Sequence, residues 1–335
     1  MNSSGTETSE NKINEMALER LVEAIKKRTV FAFIGAGCSA KLRYPGWDDL
    51  LCRLEEAISN KNDLDVYKNS EECIKDKLWY AEKLVTILGE DKFRDVIKDI
   101  FKPQKEMDSK FHRDLISIRF RHYITTNYDS ILDHAAEKAG FPLSHFCWND
   151  KDVLKKFFQN IHDFESTPER YVIHIHGRYD KPDSIILTEK DYMKIYFEQE
   201  TAYKILWSII SSFRMCFIGF NLYDLDLLSI FRKSRWDFER GDPRHYAIID
   251  EENIAKERRS RRLYLREKYG IEPIFFAKQR KGNTKWKEQE TIVEKIAFLF
   301  SVVERKKEPK IKKIKKLSLK KDAKKLKEIT DLAKQ

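Results

Sequence analysis

The sequence predicts an α/β protein with a doubly wound parallel sheet, and three observations lead to this prediction. The apolar run VFAFI at 30–34 leads directly into the turn GAG at 35–37, as a buried parallel strand does before a helix. Strand-like apolar runs then alternate with helical patterns along the chain. Small, polar or titratable residues follow the predicted strands, and an open parallel sheet binds its ligands at these strand ends.

The composition is that of a globular protein with a highly charged surface. The chain has 335 residues, of which 41% are hydrophobic and 36% charged, enough for one large domain or two small ones. No apolar run reaches the roughly 18 residues that a membrane-spanning helix needs. Residues 1–15 also lack the apolar core of a secretion signal. We therefore expect a cytoplasmic protein without a membrane span.

The five cysteines, at positions 38, 52, 73, 147 and 216, include no C-x-x-C pair. Structural zinc sites normally use paired cysteines, and disulfide frameworks use an even number of them. We therefore expect neither a metal site nor disulfides, but small buried thiols in a reducing compartment.

The N-terminal third is predicted to be mainly helical. Residues 1–14 are polar and predict a disordered arm, and helical spacing begins near Glu15 and precedes the first strand. The next clear strand is RHYITTN at 121–127. Because an ordinary crossover is much shorter than the helical stretch between these strands, we expect a helical insertion or lid over the site at about 48–118.

Strands and helices alternate after this insertion. The predicted strands are 171–176, 184–187, 215–220, 245–250 and 272–276. The predicted helices are 129–138, 189–213, 224–238, 253–268 and 288–303, with helix or loop at 151–165. This alternation predicts a Rossmann-like doubly wound sheet within one domain spanning residues 15–304.

Residues 305–335 form a basic tail. They hold 14 Lys and Arg against 4 Asp and Glu, so they account for the whole formal net charge of +10. Apolar residues at three- to four-residue spacing between the lysine pairs are compatible with an amphipathic helix that meets a partner protein, a nucleic acid or an acidic membrane. A solvated tail is the alternative, and the sequence does not decide between them.

The candidate site residues are the ones that follow the strands, together with one tryptophan after the first turn. They are Gly35, Ala36, Gly37, Cys38, Ser39, Trp47, Thr126, Asn127, Asp129, His176, Gly219, Phe220, Asn221 and Asp250. Because the carboxyl ends of parallel strands meet at one edge, these residues predict a nucleotide site. The glycines let the backbone approach a phosphate closely.

Two common nucleotide-binding classes are disfavoured. A dinucleotide dehydrogenase places an acidic residue at the end of its second strand, about 20 residues on, but Glu55 and Glu56 lie within a helical pattern. No GKS or GKT follows the glycines, as it would in a phosphate loop of an NTPase.

Several of these residues also have plain structural interpretations. Asp129 can cap the helix that follows it, and Asn127 can be a turn residue. Cys38 is predicted to pack rather than to react. Trp47 can line the pocket or fill the core, and Asp250 can contact an adenosine ribose or be a loop acid. His174, which precedes His176 on the same strand face, is predicted to be a core histidine.

Four motifs, in this order and spacing, resemble the sirtuin catalytic domain. They are GAGCS at 35–39, TTNYD at 125–129, HIHG at 174–177 and FIGF at 217–220. The chain is more specifically similar to bacterial sirtuin-like domains of antiphage defence proteins, which have a Trp after the glycine turn and a Thr-x-x-Asp-Tyr segment after the HG. Here these are PGWDDLL and LTEKDY. The resemblance covers roughly residues 29–250.

The resemblance implies that the site binds NAD+ as a substrate and cleaves its nicotinamide–ribose bond. Residues 35–39 would hold the pyrophosphate, Asn127 and Asp129 would contact the nicotinamide ribose, and His176 would be the base. These residue types suit the reaction. A carboxylate stabilises an oxocarbenium-like ribose, and a histidine accepts a proton near neutral pH.

One departure from the sirtuin pattern changes the expected acceptor. Sirtuin deacylases carry a zinc module of two C-x-x-C pairs, and this chain has none. Water is then the expected acceptor, which favours an NAD+ glycohydrolase that depletes NAD+ in abortive antiphage defence. The alternatives are a deacylase, an ADP-ribosyltransferase, or a non-catalytic module that senses NAD+ or ADP-ribose.

The resemblance also implies partners. We expect a homo-oligomer, a partner such as a HerA-type ATPase or another defence sensor, or both. Nucleic acid is a further candidate partner, which would bind the basic tail. Since an unregulated NADase would kill its host, we expect the insertion or the tail to gate it.

Overall fold

Seven parallel strands form one sheet in the computed structural model. The model describes residues 3–68, 70–104, 109–141, 143–163, 170–198, 201–220, 222, 225–237, 243–250, 255–276 and 293. The strands are β1 (Val30–Ile34), β2 (Tyr123–Thr125), β3 (Ser144–Cys147), β4 (Tyr171–His174), β5 (Arg214–Ile218), β6 (His245–Asp250) and β7 (Ile271–Phe276). Their order is β3-β4-β2-β1-β5-β6-β7, with every neighbouring pair parallel. This confirms the predicted Rossmann-like α/β class.

Helices precede, separate and flank these strands. They are α1 (Ser3–Lys26), α2 (Ala36–Ser39), α3 (Trp47–Ala57), α4 (Lys61–Lys68), α5 (Glu71–Lys75), α6 (Lys77–Leu88), α7 (Glu90–Phe101), α8 (Lys110–Ser117), α9 (Ile131–Lys138), α10 (Lys151–Asn160), α11 (Glu189–Tyr192), α12 (Thr201–Ser212), α13 (Leu225–Asp237) and α14 (Ala255–Tyr269). A π-helical segment, Met193–Glu198, follows α11 and precedes α12. Within the described ranges, none of these helices has the length and apolar character needed to cross a bilayer.

Strand β1 lies at the centre of the sheet and is covered on both faces. Phe31 and Phe33 point into one hydrophobic core, with α12 and α13. Val30, Ala32 and Ile34 point into the other, with α1, α8 and α9. Burial on both faces explains why this strand reads as a continuous apolar run.

The strand order reverses at β1. The chain passes from β1 to β2 on one side and later returns to β5 on the other side. In open parallel sheets such a reversal leaves a crevice beyond the carboxyl ends of the two central strands. The turns that follow β1, β2 and β5 therefore border the natural ligand position of this fold.

The helices α3 to α7, with the turns after β2 and β4, form a third hydrophobic core. Leu54 and Leu84 of this core are fully buried. Tyr128, directly after Asn127, and Leu187 belong to the same core. The helical layer therefore packs on the segments that carry the candidate site residues.

The N-terminal arm differs from the prediction. Helix α1 begins at Ser3, inside the segment 1–14 that was expected to be disordered. Glu10 forms a buried ion pair with Arg262, at 3.2 Å between Oε2 and Nε. The Asn14 amide exchanges two hydrogen bonds with the Phe275 backbone, at 2.7 and 2.8 Å. Contacts with residues about 250 positions away hold this polar helix, and local composition does not reveal them.

Three further elements differ from the prediction. The short edge strand β3 was missed, because only its last two residues, Phe146 and Cys147, are buried. The strand expected at 184–187 is wrong, since a 3-10 turn at Pro182–Ser184 occupies its start. The helix expected at 189–213 is divided into α11, the π-helical segment and α12. The helix expected at 288–303, apart from Val293, and the tail lie outside the described residues.

Candidate nucleotide site at the strand ends

The turns after β1 and β5 are in direct backbone contact. The Gly35 amide donates to Ile218 O at 3.0 Å, and the Gly37 amide donates to Gly219 O at 2.9 Å. A Cβ on Gly35 would lie 2.4 Å from Gly219 O, and Gly219 has φ +65°. Only glycine fits such an approach. The two glycines thus shape the crevice at the point where the strand order reverses.

Ser39 links the turn after β1 to the turn after β2. Its hydroxyl donates to Asp129 Oδ2 at 2.7 Å and accepts from Asn127 Nδ2 at 3.0 Å. Ser39 and Asp129 are buried, with 4% and 5% of their surface exposed. The other carboxylate oxygen of Asp129 accepts from the Ile131 amide at 3.0 Å. Asp129 therefore both closes the first turn of α9 and belongs to a buried amide–hydroxyl–carboxylate group.

The backbone of Asn127 is held from two sides. Its amide donates to Thr125 Oγ1 at 3.0 Å, and the Thr125 hydroxyl itself donates to Ile34 O at 2.8 Å. The His174 Nδ1–H donates to Asn127 O at 3.1 Å. Burial lowers the pKa of His174 to about 4, so the ring is neutral at pH 7. Neighbouring strands thereby fix the direction in which Asn127 leaves the sheet.

His176 follows β4 and is enclosed by two tyrosines. Its Nε2 lies 2.9 Å from Tyr196 Oη, and its Nδ1 lies 3.5 Å from Tyr192 Oη. Burial lowers the pKa of His176 to about 3, so it is a neutral imidazole at pH 7. The following Gly177 has φ +89°, and a Cβ there would lie 2.1 Å from Ser184 O.

The register between β2 and β4 brings the carboxyl ends of these two strands together. Thr125 of β2 pairs with His174 of β4. Asn127 and His176 each follow their paired residue by two positions. Ser39, Asn127 and Asp129 are joined by hydrogen bonds, and His176 leaves the neighbouring strand end.

Burial also raises the pKa of the Asp129 carboxyl, while the hydrogen bond from Ser39 opposes this effect. Such a carboxylate is poorly solvated and interacts strongly with a positive charge that forms beside it. A pKa of about 3 for His176 differs from the near-neutral value expected of a general base, so the imidazole is a weak proton acceptor while it is enclosed. The arrangement is chemically suited to stabilising a cationic sugar.

The remaining candidates lie in varied surroundings. Cys38 is buried with Sγ 3.3 Å from Ile218 O, and burial raises the pKa of its thiol, so the thiol stays protonated and packs. Trp47 begins α3 and is 38% exposed. The Phe220 ring packs edge-on against Phe33, with centroids 5.0 Å apart. Thr126 is half-buried.

Three other candidates add little. Ala36 is the first residue of α2. Asp250 ends β6, and its side chain lies outside the described residues, as does the whole of Asn221. In the part of the chain that the structure describes, no group of three metal-ligating side chains converges.

Tyr192 and Tyr196, which belong to a hydrophobic core, are not among the candidates predicted from the sequence. Their rings stack on each other with centroids 5.4 Å apart, and both lie beside His176. The four-residue spacing places them on one helical face, but it does not tell which strand end that face meets.

Part of the chain is similar to a known family, and most of it is similar to several known proteins. Residues 121–274 match the family model of the SIR2-like domain. Over 238 residues the chain is 26% identical to the defense-associated sirtuin 2 of Bacillus subtilis, covering 68% of this chain and 22% of that protein. Over 242 residues it is 25% identical to the NAD(+) hydrolase ThsA of Bacillus cereus, covering 72% of this chain and 47% of that protein.

A third relative matches over more of the chain. The NAD(+) hydrolase ThsA of Enterococcus faecium is 25% identical over 299 residues, which is 87% of this chain and 55% of that protein. The chain thus spans between about a fifth and about half the length of these relatives. The resemblance to the sirtuin family seen in the sequence is confirmed by the match of residues 121–274 to the SIR2-like domain and by these relatives, at 25–26% identity.

Proposed function

We propose that this protein is an NAD+ glycohydrolase that releases nicotinamide and ADP-ribose. The observation that carries the proposal is the buried group in which Ser39 joins Asn127 and Asp129. It lies beside the glycine turn, at the reversal of the strand order. The names of two of the relatives above, which describe NAD(+) hydrolases, support the same reaction.

In this proposal the pyrophosphate of NAD+ lies on residues 35–39, against Gly219. The amides of Gly35, Gly37 and Cys38 are used within the protein, so the glycines contribute close approach of the substrate to the backbone and not free donors. Trp47, Thr126, Phe220, Asn221 and Asp250 are proposed as further contacts with the dinucleotide. The nicotinamide ribose then lies towards Asn127 and Asp129.

The reaction begins with cleavage of the bond between the ribose and nicotinamide. The electron pair of this bond passes to the nicotinamide nitrogen, which becomes neutral, and the ribose becomes oxocarbenium-like. The Asp129 carboxylate stabilises that positive charge. The Asn127 amide both donates and accepts hydrogen bonds, so it can orient a ribose hydroxyl and the attacking water.

His176 is proposed to accept the proton from the attacking water as the new C–O bond forms. Its Nε2 lies 2.9 Å from Tyr196 Oη in the structure, and we propose that the two separate in the active form, where solvent reaches the ring and its pKa rises towards the ordinary value. The protein therefore needs a rearrangement around the π-helical segment before it turns over. This is the form of gating that we propose for the enzyme.

We propose hydrolysis rather than protein deacylation because no cysteine pairs are present to build the zinc wall of a deacylase cleft. A deacylase also needs an open groove for an acyl-lysine, and His176 is buried beneath Tyr192 and Tyr196. Water, as a small acceptor, reaches such a position more easily. NAD+ is thus a substrate and not a resident cofactor.

The wider role is proposed from the relatives. One of them is named as defense-associated, and we propose that this chain acts in the cytoplasm as an antiphage effector. Depletion of NAD+ would halt the growth of the infected cell. The gating would come from self-association or from a partner protein such as a HerA-type ATPase.

The direct test is incubation of the purified full chain with NAD+ in water enriched in ¹⁸O. Chromatography and mass spectrometry would follow the products at enzyme concentrations high enough to detect a single turnover. We expect equal amounts of nicotinamide and ADP-ribose, with ¹⁸O in the ADP-ribose. Consumption of NAD+ only with an acetyl-lysine peptide would indicate a deacylase. Tight binding of NAD+ without consumption would indicate a sensing module.

A further inference from the structure

A second candidate site lies between α1 and α14, away from the strand-end crevice. The two helices border a cavity of about 510 Å³, a volume within the usual range for small-molecule sites. Five arginines line it: Arg20, Arg235, Arg259, Arg262 and Arg266. Pro243, which also lines it, lies just before the first residue of β6. This end of the cavity is therefore at the amino ends of the strands, opposite to the turns that carry Asn127 and His176.

Two of these arginines are neutralised by buried carboxylates. Arg262 pairs with Glu10, at 3.2 Å, and with Glu272. Arg266 pairs with Glu272 at 2.7 Å. By contrast, Arg20 and Arg259 have no carboxylate within 4.0 Å among the residues that the structure describes. Glu267 is the other acidic residue of the lining. The cavity therefore keeps an excess of positive charge.

One guanidinium is also incompletely satisfied. Arg262 is only 4% exposed, and its Nη2 has no hydrogen-bond partner within the described residues. A buried donor without a partner is destabilising, and more so when it is charged. An anion that accepts a hydrogen bond from Nη2 would remove this cost, because guanidinium N–H groups are strong donors to phosphate oxygens.

Part of the lining is apolar. Met16 of α1 and Leu263 of α14 are each 46% exposed, and Ile13 lies beside them in the lining. Exposed large apolar side chains around a basic cavity favour a ligand with both an anionic and a flat apolar part.

We propose that this cavity binds a small phosphorylated nucleotide, with its phosphates on Arg259, Arg20 and Arg262 and its base against Met16 and Leu263. A long nucleic acid is disfavoured, because the charge is collected in a bounded cavity and not along a groove. This site does not depend on the proposed hydrolysis of NAD+.

The test is calorimetric titration of the full chain with ADP, and separately with pyrophosphate and with adenosine. Variants Arg259→Glu and Arg20→Glu reverse the charge at exposed positions on the helices, where the fold tolerates them. Arg232→Glu, on the exposed face of α13 and outside the cavity, is the matched control. Gly35→Ala, which obstructs the proposed pyrophosphate contact of the strand-end site, separates that site from this cavity.

We expect ADP to bind the cavity of the wild type, Arg232→Glu and Gly35→Ala with the same affinity. Each cavity variant should weaken binding by about tenfold or more, as expected for the loss of a charge-assisted contact. Pyrophosphate that binds as tightly as ADP would assign the cavity to phosphate alone. The proposal is overturned if ADP does not bind, if the cavity variants bind it unchanged, or if a folded Gly35→Ala protein no longer binds ADP.

Discussion

Tyr196 Oη lies 2.9 Å from His176 Nε2, and both side chains are buried. The tyrosine belongs to the π-helical segment Met193–Glu198, and such segments are frequent at functional sites. Tyr192 stacks on Tyr196 and faces the other ring nitrogen of His176. The proposed base is thus held by the segment that has to move before it can act.

Replacing Tyr196 with Phe removes the hydroxyl and keeps the ring. A hydrogen bond contributes about 1 kcal/mol, so the closed arrangement should weaken and basal NAD+ turnover should rise roughly fivefold. The measurement is nicotinamide release under initial-rate conditions. Tyr203→Phe, at a half-buried tyrosine that stacks on Trp207 in α12, is the control and should leave the rate unchanged. A folded Tyr196→Phe protein with an unchanged or lower rate would contradict the gating proposal.

Replacing Ser39 with Ala removes the hydroxyl that joins Asn127 to Asp129. Because the hydrogen bond from Ser39 lowers the pKa of Asp129, its loss should raise that pKa further. The acidic limb of the pH–rate profile should then move to higher pH, and the maximal rate should fall about ten- to hundredfold. Ser117→Ala, remote from the site, is the control. An acidic limb that stays in place would show that Asp129 does not titrate in the reaction.

The buried histidines make the protein sensitive to acid. Burial holds the pKa of His176 near 3 and that of His174 near 4, whereas an unfolded histidine titrates near 6.5. Below pH 6.5 the unfolded chain therefore binds protons that the folded chain does not, and stability falls as the pH falls. At pH 5 each group removes up to about 2 kcal/mol from the free energy of unfolding.

Urea unfolding between pH 5 and 7.5 measures this effect. His176→Gln should flatten the pH dependence, whereas His162→Gln, at an exposed histidine, should not. Equal stability of the wild type at pH 5 and pH 7.5 would mean that these histidines are not buried in the neutral form.

A substitution at Gly35 tests the contact between the turn after β1 and the turn after β5. An alanine there would place its Cβ 2.4 Å from Gly219 O, whereas no atom lies within 4 Å of a Cβ at Gly46. Gly35→Ala should therefore lower the melting temperature and abolish NAD+ turnover. Gly46→Ala should change the free energy of unfolding by less than about 1 kcal/mol. Turnover by Gly35→Ala at the wild-type rate would exclude this turn as the pyrophosphate contact.

The central sheet could be predicted because its strands are buried on both faces and read as apolar runs. Because the predicted strands are parallel, the residues after β1, β2, β4 and β5 were also expected to meet at one edge of the sheet. Strand β3 was not predicted, because it is short and half exposed. The start of α1 was not predicted either, because contacts with Arg262 and Phe275 hold it, and these partners are distant in the sequence.

The candidate site could also be predicted only in part. The residue types at the strand ends indicated the candidate side chains, but not which of them form hydrogen bonds with each other. The bond between Ser39 and Asp129 spans 90 positions and depends on the turns after β1 and β2. The contact between His176 and Tyr196 depends on the π-helical turn, which apolar periodicity does not distinguish from an α-helix.

The most direct test of the account compares NAD+ turnover by the wild type, Asn127→Ala and His176→Ala. Asn160→Ala and His162→Ala, at exposed positions outside the site, serve as matched controls, and thermal unfolding verifies that each variant is folded. We expect both site variants to lose at least about a hundredfold in nicotinamide release and both controls to match the wild type. Equal turnover in all five proteins would contradict the proposed site.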